Sequence, residues 1–121
     1  MNVLEQWRGW QQRLPKRILK GRPIELEFLK EVLHVAPDKY SGTDRLYYYV
    51  PADKSFYTSI AHWDAGNMFA NRTGEATALS AQEFAAVAGQ KKDALAQNLP
   101  RQEQAELEKV FRAILDILLH S

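Results

Sequence analysis

The sequence predicts an α+β fold in which N-terminal and C-terminal helices pack on a small antiparallel sheet of three or four strands, about residues 45–79. Three observations predict it. Both ends carry apolar residues at steps of three and four, and the middle is rich in β-branched and aromatic residues punctuated by turn clusters. A chain of 121 residues also supports one core rather than two, so residues 1–121 form a single globular domain. At 13.9 kDa it should expose roughly 6,700 Å² when folded.

The first element is an amphipathic helix. Val3, Trp7, Trp10 and Leu14 are spaced four, three and four apart, and Asn2 suits the cap. Pro15 should end it, because proline lacks the N–H that an interior helical position uses. A short turn at Lys16–Lys20 closed by Gly21 leads to Pro23, which suits a first helical turn with Glu25 and Glu27 behind it. Ile24, Phe28, Leu29, Val32 and Leu33 have helical spacing up to Pro37, although residues 24 to 28 also alternate as the start of a strand would.

Ser41–Asp44 reads as a turn cluster, and Leu46, Tyr47, Tyr48, Tyr49 and Val50 then make the best strand by residue type. A second turn at Pro51–Ser55 leads into Phe56–Trp63 as the partner of a hairpin. Alternation puts Phe56, Thr58, Ile60 and His62 on one side and Tyr57, Ser59, Ala61 and Trp63 on the other. Met68–Arg72 is a candidate third strand, and Ala76–Leu79 a short edge. Ser80 followed by Glu83 has capping-box spacing ahead of a helix that Gly89 ends or that continues through Lys91–Leu99. Pro100 breaks it, and Gln102–His120 is the final helix. Its apolar positions exceed one narrow stripe, so it is either central or the seam of a homodimer.

Composition excludes several classes. With no cysteine there are no disulfides, thiolate metal sites or cysteine nucleophiles, which fits a reducing compartment. The N-terminus lacks a secretory pattern, Asn2 excludes N-myristoylation, and Ala113–Leu119, broken by Asp116, falls far short of the ~20 apolar residues a membrane span needs. The expected location is the cytoplasm.

Charge is unevenly placed. The basic amphipathic segment 1–22 carries Arg8, Arg13, Lys16, Arg17, Lys20 and Arg22 against Glu5 alone, whereas the remainder has ten basic and fourteen acidic residues. Such a segment either contacts nucleic acid or docks on the chain's own acidic face.

Catalytic patterns are missing. Ser59, His62 and Asp64 supply the residue types of a hydrolase, but on a strand Ser59 points away from the other two, and no nucleophile elbow, Walker loop or dinucleotide fingerprint occurs. His34, His62 and His120 are too scattered to suggest a metal site, and no cofactor is implied. Tyr47, Tyr48 and Tyr49 are consecutive, so a strand must present tyrosine to both faces, and one face that stays open becomes a recognition surface.

The expected function is therefore non-enzymatic protein binding of a regulatory or inhibitor type, with the size and lack of catalytic motifs of toxin-neutralising immunity proteins and phage-type inhibitors. Tyr47, Tyr48, Tyr49, Tyr57, Trp63 and Asp64, with the Asp64–Gly74 loops, are the candidate partner-binding residues. The alternatives are nucleic-acid binding through Arg8–Arg22, and an enzyme with a site near His62 and Asp64.

Overall fold

Asn2 opens the first helix: its side chain accepts the Glu5 N–H at 2.9 Å, and α1 runs Val3–Leu19. In the computed structural model, which describes residues 2–65 and 72–120, Pro15 does not end this helix but lies inside it, exposed to solvent. The reason is the buried stripe. Leu4, Trp7, Trp10 and Leu14 are all in the core, and continuing the helix puts Ile18 against the same core one turn later, which offsets the hydrogen bond that proline forfeits. Gly21, at φ 74°, closes the end.

The helix expected from Pro23 to Leu33 is not formed. Those residues give strand β1 (Ile24–Glu25), a 3-10 turn (Glu27–Leu29) and strand β2 (Glu31–Val35). Phe28 and Leu29 reach the core as a helix would have carried them, but the backbone on either side pairs antiparallel with β3, Ile24 opposite Tyr49 and Glu31 opposite Arg45. A long strand needs partners for its N–H and C=O groups, and that demand is invisible in local spacing. The sheet thus begins at Ile24 rather than near residue 45. Likewise Ser41–Asp44 is not a turn but the first part of β3 (Ser41–Val50); the turn sits at 36–40, where Lys39 takes φ 67° and the Tyr40 N–H donates to Asp38.

Strand β4 (Ser55–Asp64) pairs with β3 over ten residues without a break. Two short strands, β5 (Arg72–Thr73) and β6 (Thr77–Leu79), line the other flank of β4. The expected strand from Met68 lies outside the described residues except for Arg72. Among the described residues six segments thereby make a sheet four rows wide, because β1 and β2 share one flank of β3, and β5 and β6 share one flank of β4.

Helix α2 (Ala81–Ala96) starts with the expected capping box between Ser80 and Glu83 and passes through Gly89. A Cβ on Gly89 would stand 3.7 Å from the Phe111 ring, so this small residue lies where α2 approaches α3 (Arg101–Leu119). The helices cover one face of the sheet in the order α1, α3, α2. Trp7 and Trp10 each meet Phe28 at 5.0 Å between ring centroids, and Phe84 of α2 stacks on Phe56 of β4 at 4.1 Å. The apolar breadth of α3 is used inside the chain: Leu107, Val110, Phe111, Ile114 and Leu118 are buried between its two neighbours. No helix among the described residues is long and apolar enough to cross a membrane.

Candidate functional site

The β3–β4 register assigns each aromatic residue to a face. Tyr49 opposes Phe56 and Tyr47 opposes Thr58 on the side the helices cover, and both tyrosines are buried. Tyr48 opposes Tyr57, and Gly42 opposes Trp63, on the other side, where no helix lies among the described residues. Of the candidate partner-binding residues, then, Tyr48, Tyr57 and Trp63 share the open face, while Tyr47 and Tyr49 belong to the core. Asp64 opposes Ser41 at the far end of the hairpin, in register with the helix-covered side, and residues 66–71 of the adjoining loop lie outside the described residues.

The open face is not flat. At one end a hollow of about 490 Å³ involves Val32, Asp44, Leu46, Ala61 and Trp63. Trp63 is held there by its indole N–H donating to Asp44 at 3.3 Å, and by the missing side chain of Gly42, over which its ring packs. At the other end a cleft of about 410 Å³ is walled by Pro23, Tyr48, Val50, Tyr57, Gly74 and Ala76. The Ser59 hydroxyl in this wall donates to the Gly74 carbonyl at 2.7 Å, leaving the cleft largely apolar. Burial, and after it the charge of Glu25 in the neighbouring row, hold the Tyr48 phenol above its ordinary pKa, so it stays a neutral donor at physiological pH.

The basic residues of segment 1–22 divide into two sets. Arg8 pairs with Glu106 of α3 at 3.2 Å, and the Arg13 and Arg17 guanidinium groups lie over the Trp10 ring at 5.6 and 5.1 Å. Among the described residues Arg8 alone of the six forms an ion pair, so docking on the chain's own acidic face accounts for little of this charge. Lys16 and Arg17 do fall in the last helical turn, where cations meet the negative end of the helix dipole. Arg17, Lys20 and Arg22 surround a smaller cleft of about 200 Å³ with Pro23 and Ile24.

A third hollow, of about 310 Å³, lies at the far end of the hairpin beside His34, Ser41, Thr43, His62 and Asp64. Thr43 sits between the histidines across the sheet, and its hydroxyl is 3.2 Å from His62 Nδ1. Ser59 is on the opposite face, as its strand position requires, so no serine–histidine–aspartate set assembles from the three residues named. No group of metal-ligating side chains suited to an ion occurs among the described residues.

Pro23, Val50 and Gly42 shape the open face although none of them is among the expected partner-binding residues. Their roles arise from pairing: Pro23 precedes the residue opposite Tyr49, and Gly42 stands opposite an indole. An isolated glycine in a strand pattern is the one local signal, since it marks a close approach. No protein-family model, no curated protein and no solved structure matches this chain.

Proposed function

We propose that the protein is a non-enzymatic protein-binding domain of regulatory or inhibitor type, in the manner of toxin-neutralising immunity proteins and phage-type inhibitors. Its support is the cross-strand pair Tyr48–Tyr57, with Trp63 further along, on a sheet face that no helix among the described residues covers, while the core fills the other side. Tyrosine and tryptophan bring large contact area at low cost in conformational entropy, and they dominate binding energy at protein interfaces. The apolar cleft beside them offers a seat for an anchoring side chain.

The test is capture. Immobilised wild-type protein, Tyr57→Ala and Trp63→Ala are exposed to lysate of the source cell, and retained proteins are identified by mass spectrometry. A partner held by wild type and lost from folded Tyr57→Ala supports the proposal; identical capture by all three removes the tyrosine face as the site.

A second proposal, nucleic-acid binding by the basic segment Arg8–Arg22, is favoured by the absence of ion pairs at Arg13, Lys16, Arg17, Lys20 and Arg22 among the described residues. Each phosphate contact on duplex DNA should add about −0.9 to the slope of log affinity against log salt. Absence of salt-sensitive binding at low ionic strength would falsify it.

A further inference from the structure

Two clefts of opposite character meet at Pro23. The apolar one is bounded by Tyr48, Val50, Tyr57 and Ala76, and the cationic one by Arg17, Lys20 and Arg22; Pro23 lines both. This junction brings together the basic segment and the tyrosine strands, which are more than twenty residues apart along the chain. Lys20 and Arg22 are exposed, and neither has an ion pair among the described residues.

We infer that the open face receives a protein segment in which acidic residues adjoin an apolar side chain, the carboxylates meeting Lys20 and Arg22 while the apolar group enters the cleft between Pro23, Tyr48 and Tyr57. This rests on the protein-binding proposal and specifies the partner's chemistry. Charge complementarity selects an anion for the Pro23 end. Further along the acidic sign predominates: Glu25 is in register with Tyr48, Asp44 lies four residues on along β3, and the hollow they line holds one lysine, Lys30. A nucleic-acid strand carries a phosphate at every nucleotide, so one that crossed the tyrosine row would meet these carboxylates. A peptide can restrict its acidic residues to the Pro23 end and cross the row with apolar ones.

The probes are a fluorescent peptide of consecutive glutamates followed by Trp-Leu, the same peptide with lysines in place of glutamates, and an oligothymidylate. Anisotropy titrations use the full chain, the double variant Lys20→Glu/Arg22→Glu, Tyr57→Ala, and Arg101→Glu as a charge control, each checked for folding by circular dichroism. The glutamate peptide should bind, weaken with added salt, and lose about tenfold or more in affinity with either the double variant or Tyr57→Ala, but not with Arg101→Glu. No binding, equal binding of the lysine peptide, or an unaffected double variant overturns the inference. Tighter binding of oligothymidylate through Lys20 and Arg22 also overturns it and transfers the site to nucleic acid. If the partner captured from lysate needs Tyr57 but tolerates the double variant, the acidic-segment inference falls and the protein-binding proposal stands; if it needs neither, both fall.

Discussion

Trp63 packs across Gly42 so closely that a Cβ on the glycine would lie 2.5 Å from the indole ring and 2.5 Å from the His34 carbonyl oxygen. One of these neighbours is backbone, so it cannot swing aside. Gly42→Ala should therefore displace Trp63 from Asp44, disturb the pairing of β2, and cost about 1–3 kcal/mol as overpacking does. Urea denaturation gives the stability change, and the tryptophan emission spectrum reports the indole. Unchanged values of both would mean that β2 and β3 are further apart than described.

Neighbouring tyrosines should behave in opposite ways. Tyr49 is fully buried against Phe56, with ring centroids 5.1 Å apart, so Tyr49→Ala should cost about 3–5 kcal/mol, a large part of the stability of a domain this size. Tyr57 loses chiefly a cross-strand pair with Tyr48, so Tyr57→Ala should cost about 1 kcal/mol. Denaturation midpoints decide it, and the reverse order would exchange the two faces of the sheet.

Pro15 is exposed inside α1 and contributes no buried side chain. An interior proline is about 3 kcal/mol less favourable than alanine in a helix, while its stiffening of the unfolded chain returns up to about 1 kcal/mol. Pro15→Ala should stabilise the protein by about 2 kcal/mol, read as a higher melting temperature and stronger helical circular dichroism. A lower melting temperature would show that the ring fixes a bend on which the docking of Trp10 and Leu14 depends.

Acid should loosen the contact between α2 and α3. The Lys92 ammonium pairs with Glu108 and with Asp93, and Arg112 also donates to Glu108 at 2.9 Å. The hydrogen bond from Lys92, opposed by burial and assisted by Arg112, holds the Glu108 carboxyl below its ordinary pKa. The unfolded chain therefore binds a proton at Glu108 before the folded chain does. Stability from this group is complete above the ordinary carboxylate range and declines as pH falls through the depressed value. For Lys92 burial lowers the pKa, but the hydrogen bonds and charges of Asp93 and Glu108 outweigh it, and the net shift is upward. Its contribution persists below the ordinary lysine value and is lost as pH rises through the raised one. Lys92→Met should flatten the acid limb of a stability-against-pH curve; an unaltered limb would place the acid-sensitive groups elsewhere.

The readable parts of the fold are those whose cause is local. The capping box at Ser80, the alternation of β4 and the three-and-four spacing of α3 are determined by residues within a few positions of one another. Gly89 is misleading as a stop signal because a glycine inside a helix can serve a close approach, here towards the ring of Phe111, as well as an end, and Pro15 because the energy that overrides it comes from distant partners, the core beneath Leu14 and Ile18. Residues 24–35 mislead for the same reason, since their spacing suits a helix while the unpaired flank of β3 takes them as strands. At the candidate site, alternation alone groups Tyr48 apart from Tyr47 and Tyr49. Which group the helices cover, and that Pro23 lines both the cleft of Tyr57 and the cleft of Lys20 and Arg22, follow only from the assembled sheet.

The ion pair between Arg8 and Glu106 spans 98 positions, and it marks the packing of the earliest helix on the latest one. During synthesis Trp7, Trp10 and Leu14 consequently have no complete partner surface until α3 has left the ribosome. Local helices and the β3–β4 hairpin can form sooner, but closing so long a loop before its contacts reward it makes the last step slow. Until then the tryptophan stripe is open to chaperones, and a chain cut before Arg101 should remain a loosely collapsed, protease-sensitive species rather than a smaller native domain.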